Sequence, residues 1–226
     1  MGSDAQAIIG DRLKAVRERM ETACARSHRR IEDVLLLAVT KVFPASIVQD
    51  AYQLGLREFG ENYVQEWEIK APQTGPLPAA KIHLIGHLQS NKSAKACSLF
   101  DMIQTVDSVK LARRLNECNK PLDVMIELKL STEISKYGAS PDDLAEIVET
   151  VRGLSNLRLT GLMTVPEWSE NPEAPRLTFQ RLRELAESFG LPGLSMGMSH
   201  DLETAIEEGS TCIRIGTALF GSRKPQ

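Results

Sequence analysis

The spacing of apolar residues divides the chain into runs of two kinds. From Ala5 to His28 the apolar positions Ile8, Ile9, Leu13, Val16, Met20 and Cys24 recur at steps of three and four, the signature of an amphipathic helix. Val34 to Thr40 (VLLLAVT) is apolar without that rhythm, too short for a typical helix and bounded by turn residues, so it reads as a buried strand. Pro44 to Gly55 returns to helical spacing, with Ile47, Val48, Ala51 and Leu54 on one face. Further strands are expected at Arg57 to Gly60, Ile82 to Ile85, Met102 to Thr105, Leu122 to Lys129, Leu157 to Met163, Gly193 to Met196 and Cys212 to Ile215. Helices fall between them, including Asp107 to Glu117, Pro141 to Arg152 capped by Ser140, Pro175 to Phe189, and Asp201 to Glu208 ending at Gly209.

This gives eight strands, each but the last followed by a helix, with one extra helix in front. Near-continuous apolar strands alternating with helices mean a parallel sheet covered on both faces. Eight such units in 226 residues fit a closed (β/α)8 barrel, a TIM barrel spanning residues 1–226 as a single domain. A doubly wound open sheet is the structural alternative. Two Pro-rich polar stretches, Ala71 to Ala80 and Pro166 to Pro175, read as surface loops.

Composition narrows the function classes. Residues A, V, I, L, M, F, W, Y and C make up 42% and charged residues 25%, enough for a sizeable core. The net charge of −3, with both signs interspersed, gives no footprint for nucleic acid or an anionic membrane. No apolar run is long enough to span a bilayer, and the N-terminus lacks the pattern of a secretory signal. Cys24, Cys97, Cys118 and Cys212 are scattered without a CxxC pair, so four reduced structural thiols are expected, with no disulfide framework and no metal site.

Barrel enzymes and binders place their chemistry at the C-terminal ends of the strands. Lys41 stands at such an end, on the parity of Leu35, Leu37 and Val39. A partly desolvated lysine there can attack a carbonyl, although position alone favours a solvated turn lysine. Toward the C-terminus, SMGMSHD places Ser199 between a strand and a helix start, and the next strand ends in Gly216-Thr217. Hydroxyls and free N–H groups in the loops after strands seven and eight suit a phosphate, and ordinary turn capping is the plainer reading of either loop alone. Arg214 lies in the apolar run CIRIG and needs a partner, either an acid (Glu58, Glu61 or Glu127) or a ligand acceptor. His83, between Ile82 and Leu84, reads by default as a satisfied core or rim histidine.

Taken together, AVTKVFP, FGENYVQE, HLIGHLQSNK, SKYG around Lys136, GLM at Gly161, SMGMSHD and IRIGTALFG resemble, in order and over nearly the whole chain, the pyridoxal phosphate homeostasis protein family. The resemblance implies a barrel like the N-terminal domain of alanine racemase that holds pyridoxal 5′-phosphate (PLP). It implies a Schiff base at Lys41, phosphate on Ser199, Gly216 and Thr217, and Arg214 at the pyridine nitrogen, with Asn62 and His83 lining the pocket. Family members often carry Asp where this chain has His200, which is expected to point outward. Arginine at the ring favours an unprotonated nitrogen and a weak electron sink. The chain also ends at Gln226, without the second domain that racemases need for their second base. The expected role is therefore a cytoplasmic, monomeric carrier that holds PLP and delivers it to apo-enzymes without catalytic residues of its own. A weak one-base racemase and a cofactor-free Schiff-base aldolase are the other readings.

Overall fold

A computed structural model of the chain describes residues 4–131 and 137–221. Met1, Gly2, Ser3 and Lys136 lie outside the described residues. The strands are β1 (Leu35–Val39), β2 (Glu58–Glu61), β3 (Lys81–Leu84), β4 (Met102–Val106), β5 (Leu122–Glu127), β6 (Leu157–Met163), β7 (Gly193–Met198) and β8 (Cys212–Ile215). They pair in parallel in chain order, and β8 pairs back onto β1, with Leu37 beside Arg214, to close the barrel. The open-sheet alternative is thereby excluded.

The helices are α1 (Asp4–Arg26), α2 (Ala45–Gln53), α3 (Val64–Thr74), α4 (Ser93–Leu99), α5 (Val109–Asn116), α6 (Leu144–Arg152), α7 (Arg176–Ser188), α8 (Leu202–Glu207) and α9 (Thr217–Phe220). The extra leading helix α1 buries Ile9, Leu13, Val16, Met20 and Cys24 against α2, α8 and α9. Ser140 caps as expected, accepting from Asp142 N–H.

Three expectations need correction. The last strand is followed by a helix, the short α9. The stretch from Ala71 is not all loop: α3 runs on to Thr74 with Pro72 inside it, because Trp67, Lys70 and Thr74 form a buried face that outweighs the proline. The cysteines are not all free thiols. Cys97 of α4 and Cys118, just past α5, form a disulfide with Cα atoms 6.4 Å apart, because the two helices are neighbours on the barrel. Cys24 and Cys212 are free and buried, as expected.

Strand parity separates two interiors. Ala38, Phe59, Leu84, Ile103, Val124, Ile126, Leu162 and Ile213 point outward into the continuous apolar layer beneath the helices. Leu37, Val39, Met125, Met163 and Cys212 are buried outside that layer, within the barrel. Barrel interiors are ordinarily filled by branched apolar side chains. This one also carries His83, Gln104, Ser195 and Arg214, all buried.

Candidate ligand site at the barrel mouth

Lys41 follows β1 by two residues, is half-buried, and continues the inward parity of Leu37 and Val39. The backbone on either side of it is clamped by α3. Lys70 Nζ donates to Thr40 O at 2.9 Å, to Glu61 Oε1 at 2.8 Å and to Glu66 Oε1 at 2.8 Å. Thr40 Oγ1 also donates to Glu61 Oε1, and Val42 N–H donates to Glu66. Val42 sits at φ +62°, a conformation that costs a β-branched residue free energy and persists only where its surroundings enforce it. The Glu66 carboxylate supplies that enforcement directly after Lys41. Burial raises the Glu61 carboxyl, with Lys70 and Thr40 drawing it back down.

The loops after β7 and β8 meet beside β1. Ser199 Oγ accepts from Ala218 N–H at 3.2 Å, so its own hydrogen is left to donate to an anion. Gly197 at φ +93° turns the chain where a Cβ would strike Ala205 at 2.4 Å, and Asp201 Oδ1 closes the turn by accepting from Met198 N–H at 2.6 Å. A Cβ at Gly216 would make only ordinary contacts, with Val39 at 3.5 Å or more, so packing does not demand glycine there. Its bareness leaves the cradle open beside the exposed Thr217. His200 points outward, exposed, its Nε2 on Glu170 O.

Arg214 is buried, and among the described residues no acid sits directly on it. Its guanidinium donates to Ser195 Oγ and to Thr164 O, each at 2.8 Å. Ser195 donates to Gln104 Oε1 at 2.6 Å, Gln104 Nε2 meets His83 Nδ1 at 2.9 Å, and His83 Nε2 meets Glu58 Oε2 at 2.6 Å. Because an amide nitrogen can only donate, His83 Nδ1 accepts and Nε2–H donates to Glu58. The result is a one-way file of donors from the guanidinium to a carboxylate at the far end of the barrel. Burial pulls Arg214 below its ordinary value, and the charges of Cys212, Glu127 and Asp201 draw it back up.

Across the mouth a cavity of about 410 Å³ is lined by Asn62, Gly86, His87, Glu127, Tyr137 and Val165, among others. Asn62 thus lines this cavity. His83 does not line this cavity: both its ring nitrogens are occupied, and it reaches Arg214 only through Gln104 and Ser195. Lys41, Ser199, Arg214, Gly216 and Thr217 stand on the β7–β8–β1 side. Sequence reasoning missed Lys70, Glu66, Gln104 and Ser195. The visible signals were a Glu66–Lys70 pair at helical spacing and single polar residues inside two apolar strands.

The fold and this mouth define a (β/α)8 barrel of the alanine racemase N-terminal domain class, and the family model so described matches residues 12–224. The pyridoxal phosphate homeostasis protein of Pseudomonas aeruginosa is 44% identical over 95% of this chain and 96% of its own length. That of Mus musculus is 41% identical over 95% of this chain and 87% of its own. The structure of PipY from Synechococcus elongatus, with PLP bound, matches at a TM-score of 0.83 and 35% identity, covering 94% of this chain and 100% of that one. Alanine racemase from Corynebacterium glutamicum shares the fold, at a TM-score of 0.72 and 15% identity over 95% of this chain and 60% of that one. The chain belongs to the pyridoxal phosphate homeostasis protein family. Among the described residues no helix is long and apolar enough to cross a membrane.

Proposed function

We propose that this protein binds PLP at the β7–β8–β1 side of the mouth and holds it in reserve for apo-enzymes, as a cytoplasmic monomer without sustained turnover. The observation that carries the reading is the convergence of three unrelated provisions at one place. A lysine stands on a clamped turn, a serine hydroxyl is freed to donate beside a bare glycine, and a buried guanidinium is fixed by its neighbours. When bound, PLP supplies a phosphate to be anchored and an aldehyde that an amine captures reversibly. Lys41 is the amine. Ser199 and the backbone at Gly216 and Thr217 receive the phosphate. Arg214, with two of its donors already committed, presents a remaining N–H to the pyridine nitrogen and holds that nitrogen unprotonated. A ring so held is a weak electron sink, which favours keeping the cofactor over carbanion chemistry. That the PipY relative has PLP bound supports PLP as the ligand.

The test is direct. Purified protein incubated with PLP is expected to gain a visible absorption band. Borohydride reduction is expected to fix a pyridoxyl group on the peptide containing Lys41, and Lys41→Ala is expected to abolish both. A protein that never takes up PLP sinks the reading. Solvent deuterium exchange at the Cα of amino acids, at enzyme-like rates, would overturn the claim that it turns nothing over and favour a one-base racemase.

A further inference from the structure

The mouth cavity contains a carboxyl group that the proposed site leaves unused. Glu127 ends β5 on the inward parity of Met125, is only 7% exposed, and lines the cavity. Its Oε2 is buried and has no hydrogen-bond partner among the described residues. Buried polar atoms are almost always paired, and an unpaired carboxylate oxygen is among the costliest exceptions. An orphan of this kind, aimed into a cavity beside a candidate binding site, points to a partner that arrives with the ligand.

Charged and polar groups reach it from several neighbouring elements. Arg214 approaches from β8, and Asp107 from the end of β4. His87, from the loop after β3, lies with Nδ1 3.4 Å from Asp107 Oδ2 and stacks on Tyr137 of the β5 loop at 3.9 Å. Lys92 lines the same cavity, Asn62 reaches it from β2, and Val165 closes it from β6 with no charge. Lys129 follows on Glu127's own strand end. Burial pushes the Glu127 carboxyl up to about 7, with Arg214 drawing it down and Asp107 pushing it further up. Near neutrality the group therefore stands between acceptor and donor.

We propose that Glu127 is the proton-exchanging group of this site, taking a proton from solvent when anionic PLP enters and returning it when PLP leaves, with Oε2 as the atom that then donates to the ligand. The inference rests on the PLP reading. Its physical basis is that a new anion beside a carboxylate disfavours the charged form. No bond to carbon is made or broken; one proton moves between water and Oε2. Rising pH would then favour release of the cofactor.

The experiment is calorimetric titration of PLP into the protein at pH 7, in two buffers of different ionisation enthalpy, which counts protons taken up per ligand bound. A group half-protonated before binding and fully protonated after it takes up about half a proton. Wild type is expected to take up about that much more than Glu127→Gln, and its affinity is expected to fall more steeply between pH 6 and 8. Glu127→Met, also neutral, serves if the Gln variant misfolds, and Glu127→Asp is expected to restore part of the difference. Equal proton counts in wild type and the neutral variants would overturn the role of Glu127 alone. Failure of wild type to bind PLP would sink the proposed function, and with it the ligand named here.

Discussion

The Lys70 clamp makes the sharpest prediction, because its members are buried and their coupling has a sign. Lys70→Met keeps an aliphatic stem of similar volume and removes the ammonium that serves Glu61, Glu66 and the Thr40 carbonyl. Glu61 is fully buried. Removing one partner of such a pair costs about 3–5 kcal/mol, because the other charge is stranded. Glu61 can escape by staying protonated, so the cost depends on pH. Its carboxyl is already raised in the folded protein, and without Lys70 it rises further. An acid raised in the folded state carries no penalty below its unfolded value, near 4.5, and acquires the full penalty as pH climbs through its folded value. Each additional unit of separation adds about 1.4 kcal/mol.

The loss of stability in Lys70→Met is thus expected to be small at pH 5 and to reach several kcal/mol by pH 8. Thermal unfolding followed by circular dichroism reads this as a fall in Tm of roughly 10 °C at pH 8, using about 2–4 °C per kcal/mol for a chain of this size. The double variant Glu61→Gln/Lys70→Met is expected to recover most of the loss, since no charge is then stranded. The functional consequence is separate: with Thr40 O released, the turn carrying Lys41 loosens, and PLP retention is expected to drop at pH 5.5 as well, where the fold is intact. A destabilisation equal at pH 5 and pH 8, or a double variant no more stable than the single one, would refute the clamp.

Three further outcomes are expected. Ser199→Ala removes one hydroxyl donor from the cradle and should weaken PLP binding roughly tenfold by equilibrium dialysis, on the basis of about 1–1.5 kcal/mol per hydrogen bond, while leaving attachment at Lys41; undiminished retention would count against its phosphate role. Gln104→Leu strands His83 Nδ1 and Ser195 Oγ and should cost about 2–4 kcal/mol in urea unfolding, whereas a neutral result would mean that the file of donors inside the barrel is incidental. Replacing both Cys97 and Cys118 by Ser should lower stability by about 3 kcal/mol under non-reducing conditions and leave it unchanged in excess dithiothreitol; the unreduced, denatured wild-type chain should titrate two thiols, and four would show that the bond does not form.

The course of the barrel was readable because each strand announces itself locally. A largely apolar run of four to eight residues between turn signals needs no knowledge of its neighbours, and eight of them in order leave few topologies. The candidate site residues legible in the sequence share that property. Lys41, Asn62, Ser199, Gly216 and Thr217 all sit just past strand ends, where a parallel barrel puts its chemistry whatever the pairing partners are. What stayed hidden depends on contacts between distant segments. Lys70 looks like half of an ordinary surface pair with Glu66 until α3 is laid against β2 and the ammonium is buried. Ser195 and Gln104 stand 91 residues apart and become partners only across the closed barrel. Cys97 and Cys118 meet only because α4 and α5 are adjacent.

His83 shows where the two kinds of reading join. Its local sequence suggested a satisfied core histidine and its motif a pocket residue, and the structure gives it a place that is neither alone. It is satisfied at both nitrogens, yet it is the second member of a five-residue file that runs from Glu58 to Arg214. Every member of that file is paired, so the file avoids the desolvation penalty that would attend any one of them alone. An apolar interior would fill the same volume with Leu and Val. Its distinct contribution is orientation: Ser195 and Thr164 O fix two of the guanidinium's donors, and the Glu58 carboxylate at the far end polarises the line that holds them. A guanidinium so held is committed to Ser195 and Thr164, and among the described residues Glu127 Oε2 has no hydrogen-bond partner. On the proposed reading, the remaining guanidinium N–H and Glu127 Oε2 are the groups left for the same ligand.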